Sequence, residues 1–196
     1  MQRTHSIEDV FDRIEAATGD GRLTLGEAVD ALGGRGYGPF LFLPALLEIT
    51  PFGGIPGVPT LLALLISLFA VQVALGRDRI WAPAVLRARS VEGERLHQAI
   101  EMLRPAGQRV ERWFPGRLPM LVRGPVRRLA ALVVVTLCLT VPALELVPFA
   151  STAPMAAIAM IGLALTLRDG LLMALGFALS AGAVGVIVWA LLRLPI

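Results

Sequence analysis

Two stretches decide the reading of this chain: Pro44-Ala45-Leu46-Leu47-Glu48-Ile49-Thr50-Pro51-Phe52 and Pro142-Ala143-Leu144-Glu145-Leu146-Val147-Pro148-Phe149. Each lies within a long apolar run and carries the only charge in it. Between Gly36 and Gly76 the sole Asp, Glu or Arg is Glu48, and between Leu129 and Leu167 it is Glu145. A central Asp within hydrocarbon costs about 2.5–3.5 kcal/mol on insertion scales, so a lone carboxylate repeated at matched places is selected rather than drifted. Three residues after each glutamate comes a proline, Pro51 or Pro148, which ends a helix and leaves carbonyls without intrahelical donors. Glu48 with Thr50 and Pro51, and Glu145 with Pro148, thus gather hard oxygens at the tip of a broken helix. Such a set suits a proton, Na⁺ or another small cation, or a polar substrate group held at membrane depth. It equally allows a packing role, in which each Glu caps the following broken segment or accepts from a backbone amide across the interface between repeats.

The 196 residues are 56% hydrophobic and only 17% charged, with a mean hydropathy of +0.72. That is the balance of an integral membrane protein with the lipid bilayer as its main partner. All 18 basic residues are Arg, a bias that no binding chemistry demands, so the pI near 10.3 implies no nucleic-acid partner. The positive excess is concentrated between Arg77 and Arg128, and a basic stretch between apolar spans is read as a cytoplasmic loop. Cys138, the one cysteine, can form no intrachain disulfide and reads as a small buried hydrophobe. The amino end, rich in Asp and Glu and without an apolar signal core, reads as a polar cytosolic segment.

Along the chain, Ser6 to about Ala17 has Ile7, Val10, Phe11 and Ile14 on one helical face. Thr24-Leu25-Gly26-Glu27 is a capping box, and the helix that it opens is expected to stop at Gly33-Gly34. Tyr37 to Thr50 is too short to cross an untilted bilayer core of about 30 Å, whereas Gly57 to Gly76 has the length. Pro51 to Pro59 breaks the chain between them. Leu129 to Val147, a break at Pro148 to Pro154, and a short Pro154 to Leu167 repeat the arrangement, and Gly170 to Leu192 reads as a plain crossing with Trp189 near an interface. Both second helices end in Arg-Asp, Arg77-Asp78 and Arg168-Asp169, which read as interfacial punctuation and as secondary site candidates. Ser90 to Arg104 is an amphipathic helix expected to stop at Pro105. With Trp81, Trp113, Phe114 and the arginines around it, it lies in the headgroup region or packs as a soluble helix on the cytosolic face.

The expected fold is therefore all-α: a polytopic integral membrane protein with two repeated Pro/Gly-broken helical hairpins, one further transmembrane helix and cytosolic amphipathic helices. Its parts are cytosolic helices over 1–35, hairpin 1 over 36–76, an Arg-rich interfacial linker over 77–126, hairpin 2 over 127–167 and the final helix over 168–196. The amino end is expected inside and the carboxyl end outside. Ala181-Gly182-Ala183-Val184-Gly185 permits close helix approach and points to a homodimer. His5 and His97 have no second ligand at metal spacing, and no P-loop, HExxH or GxSxG is present. No catalytic residue, metal or cofactor is expected.

Leu25-Gly26-Glu27 with Leu32-Gly33, Ile55-Pro56-Gly57-Val58-Pro59, Gly76-Arg77-Asp78 with Trp81-Ala82-Pro83, and Arg168-Asp169-Gly170-Leu171-Leu172 together resemble the ExoD family of bacterial exopolysaccharide-synthesis membrane proteins. The resemblance runs from about Thr24 to Leu192 and implies an inner-membrane location and a link to exopolysaccharide production. It supplies no catalytic residues. Three functions stay open: a small proton- or cation-coupled transporter using Glu48 and Glu145, a non-transporting accessory protein of polysaccharide assembly, and, least supported, an enzyme acting on a lipid-linked sugar with the two carboxylates as acid and base.

Overall fold

The structure, a computed structural model, describes residues 7–18, 21–33, 36–50, 54–77, 80–114, 122, 124–145 and 150–193. In chain order the elements are α1 (Ile7–Ala17), β1 (Arg22–Thr24), α2 (Leu25–Leu32), α3 (Gly38–Ile49), α4 (Val58–Ala74), α5 (Ala84–Arg87), β2 (Ser90–Glu92), α6 (Gly93–Trp113), α7 (Pro125–Leu144), α8 (Thr152–Leu167) and α9 (Gly170–Arg193). The helical expectation holds. One feature escapes it: β1 and β2 form a two-stranded antiparallel ribbon, with Leu23 opposite Val91, in a stretch too short to show a strand period.

The polar part is built from α1, α2, α5, α6 and the ribbon. Ile7, Val10, Phe11 and Ile14 are all buried, because α1 lays this stripe on α6. A Cβ at Gly107 of α6 would lie 3.0 Å from Ile7 Cγ2, so the glycine lets the two helices approach. Arg104 bonds Asp12 at 3.2 Å and Glu15 at 2.9 Å, and Gln108 donates to Glu8 at 2.7 Å. The apolar stripe of α1 is thus covered by protein. The Thr24–Glu27 capping box is formed in both directions.

Pro105 does not stop α6, contrary to the sequence expectation; the helix continues to Trp113. A proline removes one backbone donor and crowds the carbonyl four residues earlier, but the apolar face of α6 extends beyond it to Val110, packed with the core. Tertiary burial on both sides of Pro105 outweighs the local break.

The apolar part comprises α3, α4, α7, α8 and α9. Its centre is α8, buried nearly all round. The most extensive contacts are α3 with α8, α4 with α7, and α8 with α9. Each hairpin's first helix therefore packs chiefly on the second helix of the other hairpin. At the α3–α8 crossing the backbones touch: a Cβ on Gly162 would lie 2.6 Å from Phe42 N, and one on Gly38 would lie 2.7 Å from Thr166 N.

Among the described residues, two helices, α7 and α9, are long and apolar enough to cross a membrane, while α3, α4 and α8 are shorter apolar helices. A full crossing was expected of Gly57 to Gly76; α4, at 17 residues, spans roughly 25 Å. Gly57 and Gly76 both have positive φ, 88° and 71°, and cut it at each end. Outward faces of α4, α7 and α9 expose Leu61, Leu64, Leu132, Leu139, Leu175 and Val186, a spread of apolar surface that water disfavours.

Candidate functional site

Glu48 lies in the last turn of α3, on the side that faces α8, and is 4% exposed. Ser151, the N-cap of α8 and 5% exposed, donates its hydroxyl to Glu48 Oε1 at 2.5 Å. An N-cap serine ordinarily turns its oxygen toward the first helical amides, but Ser151 makes no such bond; its proton goes to the glutamate instead. Glu48 Oε2 is buried and, among the described residues, has no hydrogen-bond partner. Thr50 is also buried, and its hydroxyl donates to the Leu47 carbonyl, closing the last turn of α3.

Glu145 is the C-cap of α7, its N–H bonded to Val141 O at 2.9 Å. Its two carboxylate oxygens accept from the Gly57 N–H and the Thr60 hydroxyl, at the start of α4. The left-handed φ of Gly57 is a conformation that L side chains rarely adopt, and it presents this amide to the glutamate. An N–H at the start of a helix has no intrahelical partner, so Glu145 acts as a cap for α4 supplied from another segment.

The two contacts are crossed: Glu48 of hairpin 1 holds the start of α8, and Glu145 of hairpin 2 holds the start of α4. The ends of α3 and α7 and the starts of α4 and α8 therefore meet at one end of the helical bundle. Both sequence-derived principal candidates lie there with Thr50. Pro51 and Pro148 lie outside the described residues, as does Asp78.

Arg77, Arg168 and Asp169 lie at the far ends of α4 and α8, so the structure separates them from the glutamates. Asp169 is fully buried and its Oδ1 accepts from the N–H groups of Leu171 at 2.9 Å and Leu172 at 3.1 Å, capping α9. Arg168 is exposed at φ 53°. The ends of α4 and α8 close alike: Arg77 N bonds Gln72 O at 3.0 Å, and Asp169 N bonds Ala164 O at 3.1 Å. Each comes after a left-handed residue, Gly76 or Arg168, as in a Schellman closure. Geometry thus matches Gly76 with Arg168 and Arg77 with Asp169, one residue off the Arg-Asp alignment of the sequence. The buried Gln72 was missed. Its side chain donates to Leu68 O and Trp81 O and accepts from Trp81 N, pinning the turn after α4.

Ser151, Gly57 and Thr60 were also missed as site residues. A hydroxyl just before an apolar helical run is an N-cap signal, which would have found Ser151; nothing local links Gly57 or Thr60 to a residue so distant in sequence. Elsewhere, His97 lies 3.2 Å from Glu15 and 3.4 Å from Glu101, beside an open polar cleft of about 430 Å³. A second cleft of about 860 Å³ between α8 and α9 is lined by apolar residues, among them Pro154, Met160, Leu179, Gly182 and Val186. Neither cleft includes Glu48 or Glu145.

A predominantly helical chain, with two helices apt for crossing a membrane and a carboxylate, Glu48, buried at a helix break, falls in the class of membrane-associated helical proteins. The sequence pattern of the family described as "Exopolysaccharide synthesis, ExoD" matches residues 7–189, and this chain belongs to that family. It is similar to Protein ExoD of Rhizobium meliloti (strain 1021), 30% identical over 178 residues that cover 88% of this chain and 72% of that protein. No solved structure matches.

Proposed function

We propose that this ExoD-family chain is a small proton- or cation-coupled carrier of the bacterial inner membrane that serves exopolysaccharide production. The observation that carries this reading is the crossed pair of carboxylates at one end of the bundle. Each lies where helices are interrupted within apolar sequence, the arrangement by which secondary carriers build ion sites from broken helices and repeats. The two hairpins act as like units, since the α3–α8 and α4–α7 contacts are exchanges of the same kind. Five segments cross or enter the membrane, with the outward leucines of α4, α7 and α9 facing lipid. The shorter helices α3 and α8 are screened by their neighbours, which lets them break at membrane depth. The apolar cleft along α9, with its small residues, suits pairing of two copies.

Flux of protons and labelled monovalent cations into proteoliposomes of the purified chain tests the reading. Protein-dependent flux under an imposed gradient is the expected result. An accessory role in polysaccharide assembly is favoured by one observation: Glu145 has both oxygens engaged by Gly57 and Thr60, as a purely structural cap would. Absence of flux for every ion offered, by protein that restores polysaccharide output in cells, establishes that role instead.

A further inference from the structure

We propose that the two glutamates have different tasks: Glu145 is a fixed latch, and Glu48 with Ser151 forms a binding site for one small monovalent cation of the Na⁺ class. The site deepens the carrier reading and rests on it only for the transport step, not for the binding itself. Glu145 has both oxygens held by donors at the start of α4, the Gly57 N–H and the Thr60 hydroxyl. Glu48 uses one oxygen. Its Oε2 is buried without a partner among the described residues, and a buried polar atom left so calls for a partner, which an ordered water or an ion supplies. Beside it, Ser151 has given its proton to Oε1 and makes no capping bond to α8. The lone pairs of its hydroxyl are therefore uncommitted by α8. Thr50, buried two residues along, has likewise spent its proton on the Leu47 carbonyl.

Oxygens whose donors are spent and whose lone pairs remain make a cation site rather than an anion site. A proton neutralises the carboxylate but leaves Oε2–H a buried donor in want of an acceptor; it is the competing occupant, which the labelling test separates from a cation. A single carboxylate balances a single positive charge. A divalent ion, which takes six or more oxygens commonly from several carboxylates, leaves charge uncompensated in apolar surroundings.

The test uses the full chain, purified in detergent, titrated with NaCl at constant ionic strength against N-methylglucamine chloride. Saturable binding of one Na⁺ per chain is expected, weakened at least tenfold in Glu48→Gln and several-fold in Ser151→Ala, and unchanged in Glu94→Gln at an exposed position of α6. Should Glu48→Gln fail to fold, the wild-type chain decides alone. Dicyclohexylcarbodiimide, an apolar carboxyl reagent, is expected to modify Glu48 several-fold more slowly with Na⁺ present, as read by mass spectrometry, with no such protection at Glu145. Three results overturn the site: no saturable binding of any monovalent ion, binding that survives Glu48→Gln, or labelling of Glu48 that responds to pH but to no cation. Binding at Glu48 without flux in proteoliposomes upholds the site and ends the carrier reading. Flux and Na⁺ binding that both survive Glu48→Gln end the site and leave the carrier standing.

Discussion

At the scale of single residues, the two lone glutamates were legible because an apolar background makes one charge conspicuous, and their placement at helix tips came from the prolines behind them. Their partners were not legible. Ser151 and Gly57 lie about a hundred residues from the carboxylates they bind, and only the exchange of helices between hairpins joins them. Short-range chemistry read better, as the Thr24–Glu27 box illustrates. The Thr24 backbone N–H, and then its hydroxyl, hold the Glu27 carboxyl below its ordinary value of 4.5. A depressed folded-state pKa contributes stability that is complete above the unfolded value and is lost as pH falls through the folded one. The amides of the first turn of α2 are therefore expected to exchange faster with solvent as pH is lowered below about 4.5, after correction for intrinsic exchange. Glu27→Gln should remove that acid step, with exchange at neutral pH raised toward the rate that the wild type shows in acid. An acid step of undiminished size in the variant means that another carboxylate controls the opening of α2.

At the scale of elements, periodicity and punctuation located the helices to within a few residues wherever Gly or a cap closed them. They failed where packing overrode a local breaker. Pro105 within α6 is one case, and the β1–β2 ribbon, whose pairing depends on a segment many residues away, is another. The closeness of α3 to α8 was likewise hidden, because a glycine in an apolar helix reads the same whether it faces lipid or a neighbouring backbone. Gly162 faces backbone: a Cβ there meets Phe42 N at 2.6 Å and Phe42 Cβ at 2.8 Å. Gly182 on α9 has nothing within 4 Å of a built Cβ. Gly162→Val is expected to push α3 away from α8 at a cost of about 1–3 kcal/mol or more, the usual range for overpacking. Because the Glu48–Ser151 contact spans the same helix pair, Na⁺ binding should weaken with it. Gly182→Ala should leave thermal unfolding in detergent unchanged. Equal unfolding temperatures for the wild type and Gly162→Val place flexible space where the structure has touching backbones.

At the scale of the whole molecule, a polar amino end, apolar helices on either side of an Arg-rich insert and a final apolar helix differ strongly in composition. What composition could not give is how the hairpins combine, since either could have folded on itself. Their exchange fixes the directions of the helices: α3 and α7 run toward the end that holds the glutamates, α4 and α8 run away from it, and α9, packed along α8, runs back. Charge then gives the bundle an expected orientation in a membrane. Arg77, Arg127, Arg128 and Arg168 gather at the end away from the glutamates, against Arg193 on α9 at the other, and basic residues flanking apolar spans are retained on the cytoplasmic side. The exposed Trp81 and Trp189 lie toward opposite ends, as aromatic anchors at two interfaces do. The expected sidedness is that the glutamate tips face the periplasm, and α1, α2 and α6 face the cytoplasm. Single cysteines in a Cys138→Ala background check it, at Glu94 on α6 and at Gly54 beside the tip, both exposed. A membrane-impermeant maleimide applied to intact spheroplasts should label Gly54→Cys and spare Glu94→Cys until the membrane is opened. Labelling of both positions from one side removes the membrane between them and with it the carrier, while labelling in the reverse order keeps the hairpins but turns the Glu48 site toward the cytoplasm.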